Sequence, residues 1–296
     1  MDAVILAFGT GLSFALNAIT ARRAVIRVPD ATSGAIISVV IGVPFFLIVI
    51  VILGQVESLL ICSLQSWLWL SAAGILHFVA GRSLFYYSVK SVGANLSTII
   101  GRVSPMVAVI LGITVLSEPL TWEIIVGATL IILGVTVAGM NREMFHKRGE
   151  QYTGVSLKAF LPGIGAGIAW GISPIFIKVG LGTTTPPPVG AFISFTAASL
   201  AWSISLLNEN RRNALFGMQK GASGYFCLAG FFSSTANIMR YTALSIAPAS
   251  LVVPIWSSYP IITVVLSFIL NRRIEVFNRF VIIGMIAAVT GTLLIV

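Results

Sequence analysis

Apolar residues fall into ten blocks along the chain, at roughly 3–20, 33–53, 66–89, 94–116, 122–139, 155–177, 187–207, 221–246, 248–270 and 277–295. Each is close to the ~20 residues that a helix needs to cross ~30 Å of hydrocarbon. Turn signals part the blocks: Val28-Pro29-Asp30, Ser91-Val92-Gly93, Glu118-Pro119 and Thr185-Pro186-Pro187-Pro188. The pattern predicts an all-α membrane protein of ten transmembrane helices, with connections too short to hold a soluble domain. The longest polar stretch lies in the middle and divides the chain into 1–140, a linker 141–154, and 155–296.

The second five blocks repeat the first five. Gly11, Phe14, Asn17 and Arg22 return 156 residues on as Gly167, Trp170, Ser173 and Lys178, and Gly34 and Ser38 as Gly190 and Ser194. Tyr86, Ala94, Asn95, Leu96 and Pro105 return after 155 as Tyr241, Ala249, Ser250, Leu251 and Pro260. Glu118, Gly127 and Gly134 return after 157 as Glu275, Gly284 and Gly291. The step to 157 falls in a turn. The step from 156 to 155 falls near the third span, where it predicts a helix irregularity. A unit with an odd number of spans enters the membrane in opposite senses in its two copies. Inverted five-helix repeats of this kind build secondary transporters, which hold substrate near the midplane between the halves.

Composition narrows the class. Charged residues make up 9% of the chain, against about 25% in soluble proteins, and mean hydropathy is +1.01. The net charge of +9 is spread over helix ends rather than gathered on one face, which excludes a nucleic-acid partner. Cys62 and Cys227 fall at unmatched points of the repeat and indicate neither a disulfide framework nor a metal site. The first block lacks a basic n-region and a small-residue cleavage site, so it reads as a retained span. No phosphate-cradling Gly-rich loop ending in Lys-Ser/Thr occurs, and no cofactor is expected. Substrate and lipid bilayer are the expected partners, with the chain a monomer or homodimer.

Several motifs carry a family resemblance. Leu116-Ser117-Glu118-Pro119-Leu120-Thr121, with Gly127 and Gly134 following, resembles the end of an EamA unit, as does Tyr86–Ala94 leading to Ser104-Pro105. Gly11-Leu12-Ser13-Phe14-Ala15 and Gly167-Ile168-Ala169-Trp170-Gly171 look like first helices of such units. In this order the motifs resemble the EamA family of the drug/metabolite transporter superfamily in its ten-helix, tandem form. The resemblance implies a transporter of small metabolites or drugs and names no substrate. The second copy departs from the family's pattern, with Leu270-Asn271-Arg272-Arg273-Ile274-Glu275 in place of the tight Glu-containing turn.

Polar side chains inside the spans single out candidate site residues, because they are costly in hydrocarbon. Thr10, Ser13, Asn17 and Thr20 share one face of the first helix, Asn95, Thr98 and Arg102 one face of the fourth, and Ser233, Asn237 and Arg240 one face of the eighth. The substrate-binding candidates are Arg82, Arg102, Arg240, Asn17, His77, Asn237, Trp170, Trp256 and Tyr259. Packing or snorkelling is the alternative for each. Pro105 and Pro260 inside the fourth and ninth helices each remove a hydrogen bond and favour a kink. With Pro254 they are the gating candidates. Gly163, Gly167 and Gly171, four apart, read as close helix packing.

All nine acidic residues, Asp2, Asp30, Glu57, Glu118, Glu123, Glu143, Glu150, Glu209 and Glu275, fall in turns or at helix ends. A proton-coupled exporter of cations needs a carboxylate within the membrane, and none is expected there. An intramembrane enzyme is disfavoured as well, since no nucleophile–base pair, carboxylate pair or metal cluster can be assembled from the spans. The leading function is a secondary transporter in the cytoplasmic membrane, working by alternating access through a central cavity. It favours an anionic or carboxylate-bearing metabolite such as an amino acid or organic acid. A non-transporting scaffold or receptor, and an exporter of neutral or drug-like compounds, are the alternatives.

Of 18 Lys and Arg, 14 lie on one side of a ten-span arrangement and only Lys178 on the other. Resemblance implies both termini in the cytoplasm, whereas this bias puts them outside it. We follow the charge. A C-terminal reporter that works only outside the cytoplasm is expected to be active, and activity of a cytoplasm-dependent reporter would overturn the assignment.

Overall fold

Helices stand at the positions of the apolar blocks in this computed structural model, which describes residues 2–116, 121–139, 157–182, 184–246, 255–256, 259–275 and 277–295. In chain order α1 is Asp2–Val25, α2 Ala31–Ile52 and α3 Leu64–Val92. The fourth, α4, comes in two pieces, Ala94–Ile100 and Val103–Leu116; α5 is Trp122–Gly139. Then follow α6 Leu157–Leu181, α7 Pro187–Ser205, α8 Lys220–Ile246, α9 Tyr259–Leu270 and α10 Arg279–Ile295. Short helices Val56–Leu60 and Glu209–Phe216 join α2 to α3 and α7 to α8. Among the described residues there is no strand. The linker, the turn holding Glu118, and Pro254 lie outside the described residues.

The turn signals work by identifiable chemistry. Asp30 caps α2, its carboxylate accepting from the Thr32 amide at 3.0 Å, which satisfies one of the amides a helix start leaves open. Pro187 and Pro188 occupy the first turn of α7, where a missing N–H costs nothing. Gly93, at φ +90°, reverses the chain between α3 and α4 in one residue, a conformation that only glycine adopts without strain.

The repeat counterparts α5 and α10 pack directly on each other. A Cβ on Gly134 would lie 2.5 Å from the Gly284 carbonyl oxygen, and one on Gly291 would lie 2.4 Å from that of Gly127. The start of α5 therefore lies against the end of α10: the counterparts run antiparallel, so the two copies are inverted. The same exchange governs the other contacts. α1 packs chiefly on α8, and its counterpart α6 chiefly on α3, while α2 meets α7. Gly74 on α3 sits against the Ser194 carbonyl on α7, and Gly230 on α8 sits against the Ser38 carbonyl on α2.

The largest buried cluster joins Phe46, Phe78, Tyr86, Phe195, Trp202 and Phe226 from α2, α3, α7 and α8. A second joins Leu96, Ile99, Ile100, Val281 and Met285 from α4 and α10. Outward-facing Ile48, Val51, Ile52, Leu200, Ile204 and Ile283 are exposed, a placement suited to lipid rather than water. Among the described residues five helices, α1, α2, α3, α6 (over Ala159–Leu181) and α7, are long and apolar enough to cross a membrane, and α5, α9 and α10 are shorter apolar helices.

Gly134→Leu and Gly284→Leu are expected to lower stability by about 1–3 kcal/mol, the range for overpacked sites. Melting temperature in detergent checks this. Gly224→Ala, whose added Cβ meets nothing within 4 Å, serves as the control and leaves it unchanged or slightly raised.

Candidate functional site

The site grows out of a fault in α3. Over Ile75–Gly81 this helix is π-helical, and that is where the two copies slip in register. Gly74 and His77 correspond to Gly230 and Ser233 at 156 residues, whereas Arg82 and Tyr86 correspond to Asn237 and Tyr241 at 155. The first copy carries one additional residue, and a single wide turn absorbs it. The irregularity expected from the repeat is this π segment.

A widened turn leaves carbonyls open to outside donors, which in hydrocarbon must be found. The Trp170 indole of α6 donates to His77 O at 3.2 Å, and the Trp202 indole of α7 to Phe78 O at 3.5 Å. His77 is buried, its Nδ1 2.7 Å from Ser173 Oγ, and its ring stacks on Trp170 with centroids 5.7 Å apart. One step beyond the π segment stands Arg82, 5% exposed. Its guanidinium donates to Ser38 Oγ at 3.4 Å and to Ser233 Oγ, and it lies over the Phe78 ring at 5.3 Å. Arg82 and Arg240 are both within electrostatic reach of His77.

Arg102 owes its place to a second break. The ring of Pro105 cannot sit against the carbonyl four residues earlier, that of Gly101. α4 accordingly stops at Ile100 and restarts at Val103, bridged by tighter bonds from Arg102 N to Ile99 O and Ser104 N to Gly101 O at 3.0 and 3.1 Å. Pro105 thus stands in the first turn of a new helix rather than inside a continuous one, a correction to the sequence reading. Pro260 is likewise the second residue of α9. In the break, Arg102 is buried and lies 4.5 Å from the Tyr259 ring centroid, with Phe14 next to Tyr259 at 5.9 Å. Gly101 approaches Trp170, which links the Arg102 group to the His77 group.

The remaining candidates divide. Asn237, the counterpart of Arg82, donates to Ser233 O at 2.8 Å, and its buried Oδ1 has no hydrogen-bond partner among the described residues. Arg240 lies against the Tyr241 ring at 5.3 Å. Asn17 instead bonds across to Ala229 O at 2.7 Å, tying α1 to α8. Trp256 packs with Ala3, Ala7 and Ala243. The stripe Gly163, Gly167 and Gly171 packs against Ile100, Val103 and Ser104, as the spacing implies.

Sequence reasoning missed Glu275. It lies in the turn between α9 and α10, as expected, yet its side chain is 1% exposed. Its Oε1 is 3.3 Å from Arg22 Nε and accepts from Ala94 N at 2.8 Å, while Oε2 accepts from Asn95 N at 3.3 Å. Burial raises its carboxyl above the ordinary value, with Arg22 and the two amides acting in the opposite sense. The signal lay in the repeat. At its offsets the charged positions that keep their sign in both copies are Arg22 with Lys178 and Glu118 with Glu275.

Residues 1–140 and 157–296 each match the profile of the EamA-like transporter family. Among curated proteins none matches the chain. A solved crystal structure, 15% identical, superposes with a TM-score of 0.61 over 99% of this chain and 95% of its own; at that identity it shows the fold alone.

The second copy makes its crossing without the additional residue, so removing one from the first is expected to be tolerated. Deleting exposed Ala80 should leave a folded protein that has lost the two indole bonds, at about 0.5–1.5 kcal/mol each. Melting temperature and tryptophan emission check this, and absence of folded protein would refute it.

Proposed function

Because the chain belongs to the EamA-like transporter family, and is thus a multi-pass membrane transporter of small molecules, we propose that it is a secondary transporter of a small anionic metabolite across the cytoplasmic membrane. Its two inverted halves alternate access to a site between them, and the substrate bears a carboxylate, as an amino acid or organic acid does. The observation that carries this is Arg82. A guanidinium on the third span, 5% exposed, meets two serine hydroxyls and an aromatic face, and among the described residues no carboxylate is its partner.

Ionisable side chains within membrane spans cost several kcal/mol and face the bundle interior when they persist. Removing one partner of a buried pair leaves a charge that has to be answered. Here the answering charge is the substrate. The planar guanidinium offers paired donors that match a carboxylate. Arg102 and Arg240 add positive potential from α4 and α8, one in each half. The unpaired Asn237 Oδ1 offers an acceptor suited to an ammonium or hydroxyl group on the same molecule.

A discontinuous α4 suits this role, since broken helices place backbone and side chains at transporter sites. Pro105, beside the break in α4, serves as a hinge where little backbone hydrogen bonding has to be lost, and Pro260 and Pro254 are its gating counterparts in the second half. With no nucleotide-binding motif, coupling comes from a gradient or from exchange.

The test begins with a thermal-shift screen of metabolites, since a ligand that prefers the folded state raises the melting temperature. Uptake of the hit is then measured in vesicles. Arg82→Gln and Arg102→Gln are each expected to weaken affinity about tenfold or more, the loss of a charge-assisted hydrogen bond worth about 1.5–3 kcal/mol. Unchanged transport in both, with normal folding, eliminates the site.

A further inference from the structure

At one end of the bundle, elements of both halves are tied by a single buried network. Arg22, at the end of α1, donates through Nη1 to Val89 O and Lys90 O at 2.7 and 3.1 Å and through Nη2 to Ile274 O at 3.1 Å. It reaches Glu275 on the α9–α10 turn at 3.3 Å, and Glu275 in turn caps the first amides of α4. Arg23 Nε donates to Asn271 Oδ1 at 2.7 Å, and Asn271 Nδ2 to Ile19 O at 3.1 Å. Gly93 completes the fit, because a Cβ there would come 2.8 Å from Glu275 Oε2. Two helix ends of the first repeat are thereby clamped to one turn of the second.

We infer that the Arg22–Glu275 pair, seated on the start of α4, is a latch that holds the transporter closed at this arginine-rich end. The inference rests on the alternating-access reading above. Its reason is placement. Ala94 and Asn95, which Glu275 caps, begin the helix segment that ends at the Arg102 break. Asn95 and Thr98 follow one another along one face of it, and Arg102 stands in the break just beyond. Opening this end requires α4 to part from the α9–α10 turn. That motion breaks the ion pair and exposes two amide donors together, so it occurs as one step rather than by gradual fraying. A carboxylate released there gains water, which offsets part of the loss and keeps the latch reversible.

The test uses the full chain in vesicles of known orientation, with Cys62→Ser and Cys227→Ser, and Thr98→Cys as reporter. Thr98 is fully buried and lies one turn beyond the capped amides. A membrane-impermeant maleimide is applied from each side, and melting temperature is read in parallel. Glu275→Gln and Arg22→Gln are expected to raise labelling from the arginine-rich end about tenfold or more, in keeping with loss of a buried charge pair, and to slow it from the other end. Arg22→Lys, which keeps the charge but loses the fork of carbonyl bonds, gives a smaller rise. It decides the matter where the glutamine variants do not fold, a parental rate overturning the latch. A lower melting temperature with unchanged labelling also overturns it, leaving a stabilising pair only. Equal labelling from both sides in the parent protein would instead overturn alternating access itself.

Discussion

A charge or an open backbone group inside hydrocarbon has to be answered by another group, and the architecture of this protein is organised around the places where that demand arises. Among the described residues, α3 and α4 both break their own hydrogen-bond ladder. In α3 the π segment opens carbonyls that the indoles of Trp170 and Trp202 take up. In α4 the ring of Pro105, opposed to the Gly101 carbonyl, stops the helix at Ile100, and short local bonds carry the chain across. Both faults lie beside a buried arginine, Arg82 in one case and Arg102 in the other. Regular helices could not have presented either guanidinium with the same surroundings.

The fold supplies a near two-fold framework, and the chemical departures from it gather on α3 and α8. Crossings made by glycine, as between α5 and α10, obey the exchange of halves closely, because backbone against backbone leaves no room for chemical variation. On α3 and α8 the exchange fails: Arg82 faces Asn237 as counterpart, and Phe85 faces Arg240. The additional residue in α3 lies just ahead of these positions. An inverted repeat gives a transporter two equivalent openings, but a substrate that is not itself symmetric needs an unsymmetrical site. The insertion and the unlike side chains make the two halves chemically different without disturbing the packing that they share.

Glu275 shows how the same electrostatic demand joins site to framework. It is a turn residue by sequence and a buried one in the fold, because the arginine at the end of α1 and the first amides of α4 converge on it. The cluster connects the α3–α4 junction, which leads to Arg102, to the junction of α9 with α10, whose neighbour α5 lies in the other half.

Local chemistry determined the helices, the caps and the repeat: apolar blocks of spanning length, Asp30 before α2, prolines at the start of α7, Gly93 in its reversal, and an offset that slips by one residue where α3 becomes π-helical. These follow from interactions among residues close in sequence, or from comparison of the chain with itself. The tertiary structure alone decided which polar groups face one another. That Asn17 is spent on the Ala229 carbonyl, that Trp256 packs among alanines, and that Arg102, in the break before Pro105, meets Tyr259 are outcomes of contact between distant segments. Glu275 is the clearest case. Nothing local separates it from a solvated turn carboxylate, and only the approach of Arg22, 253 residues earlier in the chain, removes it from water and gives its charge a partner.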